Sequence, residues 1–142
     1  IDIDIRPHNR IEIESHFLSE YIQMIEGSST DKAIFESIKN QAKNFSKIMV
    51  FLDSNHTHEH VIEELRLWSP LVSVGSYCVV FDTVIHDLPD IYYPNRPWDT
   101  KNNPKTAVFE FMKEVDNFIV DKEVENKILL TVAPSGFLKK IK

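Results

Sequence analysis

Glycine is scarce in this sequence. Three stand among 142 residues, where average usage of about 7% would give roughly ten. All three lie at or after Gly27, so the first 26 residues hold no Gly-rich phosphate loop. Cysteine is scarcer still. A lone Cys78 excludes an internal disulfide; set in an apolar run, it reads as a buried, inert thiol and fits a reducing, cytoplasmic setting. Positive charge is also short: 16 basic against 22 acidic residues give a net charge of −6, without the basic footprint of a nucleic-acid binder. Lys139, Lys140 and Lys142 form the sole cationic cluster and read as a solvated tail. No apolar run approaches the roughly 18 residues of a membrane span. The opening Ile-Asp-Ile-Asp has neither the basic segment nor the apolar core of a secretory leader, and without an initiator Met the true start is expected upstream or processed. What remains is ordinary for a globular protein, at 42% hydrophobic and 27% charged residues, and the length suits one domain over residues 1–142.

Residues 1–5 alternate with period two and predict a strand. A short helix is expected over 10–20, with Ile11, Phe17 and Leu18 as packing residues, and a second strand over 21–26. The cluster from Gly27 to Asp31 reads as a turn and helix N-cap, opening a helix with Ala33, Ile34, Ile38 and Ala42 at helical spacing. Residues 47–53 predict a strand in which Ile48, Met49, Val50, Phe51 and Leu52 form a continuous apolar run, as suits a parallel strand buried on both faces. A helix over 58–68, capped by Thr57, turns Val61, Ile62, Leu65 and Trp68 inward and stops at Pro70. Another apolar strand runs over 77–81. A loop of about 86–103 holds Pro89, Pro94 and Pro97, and Pro104 opens a helix whose Val108, Phe111, Met112 and Val115 face the core. Two strands, 127–132 and 137–141, flank Pro134-Ser135-Gly136, a hairpin signal. The alternation predicts an α/β fold: a mostly parallel sheet with helices on both faces and a C-terminal antiparallel hairpin.

In such sheets ligands bind beyond the carboxyl ends of the strands. Asp4, the Glu26-Gly27-Ser28 turn, Asp53 and Asp82-Thr83 all fall there. A carboxylate after a strand in a dinucleotide-type fold accepts hydrogen bonds from ribose hydroxyls, and Asp4 suits that role. Asp53 and Asp82, on neighbouring strands, suit a hard divalent cation completed by water. His56-Thr57-His58-Glu59-His60 is dense in zinc-type ligands, yet no third and fourth ligand are evident at zinc spacing. His56, three residues beyond Asp53, suits an acid or base at the site mouth.

These blocks resemble the cephalosporin hydroxylase family, also called the rhamnosyl O-methyltransferase family. The resemblance rests on residues 3–10 (Ile-Asp-Ile-Arg-Pro-His-Asn-Arg), 25–31 (Ile-Glu-Gly-Ser-Ser-Thr-Asp), 51–61 (Phe-Leu-Asp-Ser-Asn-His-Thr-His-Glu-His-Val) and 80–84 (Val-Phe-Asp-Thr-Val). It continues through Arg96-Pro97-Trp98, 102–108 and 130–138. It implies a Rossmann-like, S-adenosylmethionine-dependent O-methyltransferase, similar in layout to catechol O-methyltransferase, with strand order 3-2-1-4-5-7-6. By the same resemblance Asp4 holds the ribose, Ser28, Ser29 and Thr30 border the adenine, and Asp53 adjoins the cofactor. Asp53 and Asp82 hold magnesium, and His56, Arg96 and Trp98 stand near a small-molecule or sugar acceptor. Family members often carry Glu-Asp where this chain has Phe81-Asp82. The family's first strand and Gly-rich loop precede the segment that opens here, so the first βα unit is absent and residues 1–5 read as the second strand. The 142 residues by themselves are therefore expected to be inactive, and their exposed strand edges to favour a homo-oligomer.

Two alternatives stay open on sequence. A phospho-receiver domain shares an acidic pair (Asp2, Asp4), a strand-end Asp53 and a later Thr83, but Ala133 stands before Pro134 where a receiver needs lysine. The other is a non-catalytic dimer of methyltransferase fold.

Overall fold

The structure is a computed structural model that describes residues 1–89 and 94–142. Four short strands form one sheet: β1 (Val50–Leu52), β2 (Tyr77–Val80), β3 (Phe118–Val120) and β4 (Phe137–Lys140), in the spatial order β1-β2-β4-β3. β1 and β2 pair in parallel, with Val50 opposite Cys78 and Leu52 opposite Val80. β4 runs antiparallel to both its neighbours, pairing Leu138 with Cys78 on one side and with Val120 on the other. The fold is mixed α/β, as the alternation predicts.

Five helices accompany the sheet: α1 (Pro7–Ser15), α2 (Lys32–Ala42), α3 (His58–Trp68), α4 (Pro104–Glu114) and α5 (Lys122–Ile128). The starts of α2 and α4 have local causes. Asp31 accepts from the N–H groups of Ala33 and Ile34 and caps α2. Asn103 and Thr106 cap α4 reciprocally, with Pro104 in the first turn, where a missing N–H costs nothing. The apolar stripes of α3 and α4 meet one face of the sheet. Leu65, Trp68, Val108 and Phe111 close there on Leu52, Cys78, Val80 and Leu138. Phe35 and Ile38 of α2 pack against the margin of that core. Burial pushes the Cys78 thiol up to about 12, with the charge of Glu64 adding to the effect. No helix among the described residues is long and apolar enough to cross a membrane.

The structure departs from expectation in four places. Strands over 1–5 and 21–26 shrink to a single parallel bridge between Asp2 and Glu26. The bridge is fixed by the Asp2 N–H on Ile25 O and the Gly27 N–H on Asp2 O, and the pair stands outside the four-stranded sheet. The first helix begins at Pro7 rather than after it, and Ile11, Phe17 and Leu18 are exposed instead of packed. Residues 127–132 are not a strand. α5 takes 122–128, capped by Asp121, and Leu129 and Leu130 lie exposed, so the β4 partner is β3 and the two are joined through α5 rather than a tight hairpin. Finally, α3 and α4 cover the same face, while Phe51 and Ile119 on the opposite face are exposed. The apolar run 48–52 contains no period-two signal to show this, because its outward residues are as apolar as its inward ones.

Candidate active site

Asp53 and Asp82 follow the carboxyl ends of the adjacent parallel strands β1 and β2. Asp82 takes a left-handed backbone (φ 52°), which aspartate tolerates better than most residues. The turn beyond it is held by buried Thr83, whose hydroxyl donates to Pro134 O at 2.8 Å, and by the Val84 N–H on Val132 O. His56, from the turn between β1 and α3, reaches both acids. Its Nε2 lies 3.0 Å from Asp82 Oδ2 and 3.8 Å from Asp53 Oδ1. One donor atom from each of the three residues falls within 4.8 Å of the others.

The Trp98 ring packs edge-on against the His56 imidazole at 4.8 Å, and the Arg96 guanidinium lies over the Trp98 ring at 5.2 Å. This loop is pinned from behind. Asn102 donates its side-chain N–H to Pro97 O, while its Oδ1 accepts from the His58 N–H at 2.8 Å. Asn102 thereby does for α3 what Thr57 was expected to do, since the Thr57 side chain makes no cap. Asn102 therefore ties the loop carrying Trp98 to the start of the helix following His56. The remainder of the proline-rich loop, residues 90–93, lies outside the described residues.

A cavity of about 500 Å³ opens beside this cluster, lined among others by Asp2, Ser28, Ser29, Asp53, His60 and Trp98. Of the sequence candidates, Ser28, Ser29, Asp53 and Trp98 line it, while His56 and Asp82 stand behind Asp53 and Trp98. Asp4 and Thr30 do not line it. Asp4 N–H donates to Asp2 Oδ1, and it is Asp2 that faces the cavity. Thr30 is engaged with Ser28, their hydroxyls 2.9 Å apart. Sequence reasoning missed three residues that shape the site: Asn102, His60 and Glu64. An Asn one residue ahead of an Asn-Pro helix start was a readable capping signal, though not for a helix distant in sequence. The spacing marked Glu64, which stands three residues after Val61 and four before Trp68 on the buried side of α3.

The donor set suits a divalent cation. Two carboxylates meet what Mg²⁺ asks of a protein, with water and substrate oxygens completing the shell; an imidazole among the ligands widens the choice to Mn²⁺ or Zn²⁺. Phe81, stacked on Phe51 at 6.1 Å, offers no ligand atom beside Asp82.

The rhamnosyl O-methyltransferase/CmcI family model matches residues 1–141. Rhamnosyl O-methyltransferase of Mycobacterium tuberculosis (strain ATCC 25618 / H37Rv) is 37% identical over 121 residues, covering 82% of this chain and 46% of that protein. The protein of the same name from Mycobacterium leprae (strain TN) is 31% identical over 119 residues, covering 82% and 49%. The chain thus spans about half the length of the curated relatives it matches. No solved structure matches. With nearly every residue inside the family match, and the acid–histidine cluster built from blocks that resemble it, the chain belongs to the rhamnosyl O-methyltransferase/CmcI family.

Proposed function

We propose that this chain carries the acceptor side and part of the cofactor side of an S-adenosylmethionine-dependent O-methyltransferase that acts on a sugar or small-molecule hydroxyl. The observation that carries this reading is the Asp53–His56–Asp82 cluster at the rim of a cavity bordered by Ser28 and Ser29. S-adenosylmethionine supplies an activated methyl on a sulfonium, and a divalent cation supplies Lewis acidity toward an oxygen. The protein's task is then mainly alignment. Asp53 and Asp82 hold the cation. His56 Nε2–H faces Asp82, which orients the imidazole and stabilises its charged form, and Nδ1 is the atom that takes the proton of the acceptor hydroxyl. Trp98 and Arg96 form the wall against which the acceptor lies; an aromatic ring beside a planar cation suits the apolar face and hydroxyls of a sugar. Asp2 or Asp4 receives the ribose hydroxyls.

The cofactor side is incomplete in these 142 residues. Among the described residues β1 pairs on one side only, and a groove of about 370 Å³ lies along it, lined among others by Ile1, Ile38, Val50, Leu52 and Trp68. The same open edge supports self-association. Membership in a methyltransferase family leaves the phospho-receiver alternative without support.

The test is calorimetry on the full-length protein. S-adenosylmethionine should bind, and Mg²⁺ or Mn²⁺ should bind with an affinity that falls in Asp53→Asn and Asp82→Asn. Absence of cofactor binding overturns the methyl-transfer reading, and unchanged metal affinity in both variants overturns the metal role.

A further inference from the structure

Glu64, behind the cavity-lining residues Ser54 and His60, is the anomaly of this region. It lies on α3 with 1% of its surface exposed, and among the described residues no lysine or arginine pairs with it. One oxygen, Oε1, accepts from Ser54 Oγ at 2.7 Å and lies 3.6 Å from His60 Nε2. The other, Oε2, is buried without a partner. A buried, half-satisfied carboxylate costs stability, and its presence calls for a reason. His60 Nε2 is also 3.1 Å from Ser29 Oγ, while the Ser29 carbonyl is fixed by the Trp68 indole N–H at 2.8 Å. Both His60 and Ser29 line the cavity.

The proton positions follow. A bare Nε2 lone pair would face the carboxylate, whereas an Nε2–H is attracted to it. With the proton on Nε2, that N–H donates to Ser29 Oγ. The Ser29 hydroxyl, its lone pair engaged and its backbone held, has its own hydrogen left to give.

We propose that Glu64 is a positioning residue: it fixes the His60 proton on Nε2, and so turns the Ser29 O–H into the cavity as a donor that reads an acceptor nitrogen of a purine ring. The cavity half of this inference rests on the methyl-donor reading above; the proton relay does not.

Two measurements on the full-length protein test them separately. In ¹⁵N NMR without ligand at about pH 8, where an ordinary histidine is neutral, His60 should be the Nε2–H tautomer. Glu64→Gln, whose amide can donate to Nε2, should shift it toward Nδ1–H. A wild-type Nδ1–H tautomer, or no shift in the variant, overturns the relay; the wild-type spectrum decides even where the variant does not fold. In calorimetry, S-adenosylhomocysteine and its 1-deaza, 3-deaza and 7-deaza analogues are compared. The wild type should bind one analogue about tenfold more weakly, a loss of one hydrogen bond. Ser29→Ala and Glu64→Gln should no longer distinguish that analogue from the parent, and the double variant should bind no worse than Ser29→Ala. Discrimination retained in both single variants, or additive losses, overturns the base-reading role. Failure of the wild type to bind S-adenosylhomocysteine at all removes the methyl-donor reading, and the base-reading role with it, while the spectrum still decides the relay.

Discussion

His56 Nε2 lies 3.0 Å from Asp82 Oδ2, so a side chain from the turn after β1 is held by an acid at the end of β2. The pair joins the turns that follow two strands, whose parallel ladder brings those turns side by side. On the proposed mechanism, His56→Ala in the full-length enzyme should lower the methyl-transfer rate about 100-fold or more, as loss of a general base does. S-adenosylmethionine affinity should stay the same. Radiolabelled methyl incorporation and calorimetry check the two halves.

Trp98 touches His56 but belongs to a loop pinned by Asn102. Trp98→Ala should therefore act on the acceptor rather than on the core. We expect the acceptor KM to rise about tenfold, in line with loss of an aromatic contact in a binding wall, with the thermal midpoint nearly unchanged. Steady-state kinetics at saturating cofactor, with a melting curve beside them, measure both.

Gly136 lies where the chain turns from Ala133 into β4. Its carbonyl accepts from the Val80 N–H at 2.9 Å, and a Cβ at this position would run into the Val80 carbonyl oxygen. That neighbour is backbone and cannot step aside. Gly136→Ala should separate β4 from the end of β2 and destabilise the protein by about 3 kcal/mol or more, within the range for overpacking plus a lost ladder bond. Urea denaturation gives the figure.

Arg66 on α3 clamps α4 through Glu110 at 2.9 Å and through a shorter contact with Glu114. The hydrogen bond from Arg66 holds the Glu114 carboxyl below its ordinary value. A carboxylate lowered in the folded state stabilises above its unfolded value, and that stabilisation is lost as pH falls through the lowered one. These side chains are solvent-exposed, so the effect is small. Arg66→Ala should melt slightly below wild type near neutral pH, and the gap should close on acidification below about pH 4. Melting curves across that range, at low salt, show it.

How much of this was readable beforehand depended on where each signal was local. The caps at Asp31 and Asn103–Pro104 announce their helices because the hydrogen-bonding partner lies two or three residues away. The inward stripe of α3 was legible from its 3.6-residue period. The acids at 53 and 82 were legible because each ends an apolar run. What depended on distant partners was not. Asn102 caps a helix more than forty residues away in sequence. Glu64 stands on the inward stripe of α3, but its partners Ser54 and His60 are set by the fold. Residues 127–132 carry Ile, Leu, Leu, Thr and Val in a row, a strand signal by propensity. Yet Asp121 and Glu123 favour a helix start just upstream, and β4 is already filled on both edges, by β2 and β3.

The position of β4 bears on the order in which the sheet can be assembled as the chain leaves the ribosome. β1 and β2 can pair as soon as residue 80 has emerged, with α3 between them ready to cover the ladder. β3 emerges next and finds no neighbour, because the strand that separates it from β2 is the last of the four to be made. Residues 137–140 must then enter between two strands already synthesised and satisfy both at once. Sheet closure therefore becomes a single late event that waits on distant contacts, the slow kind of step in folding. Until it happens, the far edge of β2 is open to any other strand nearby.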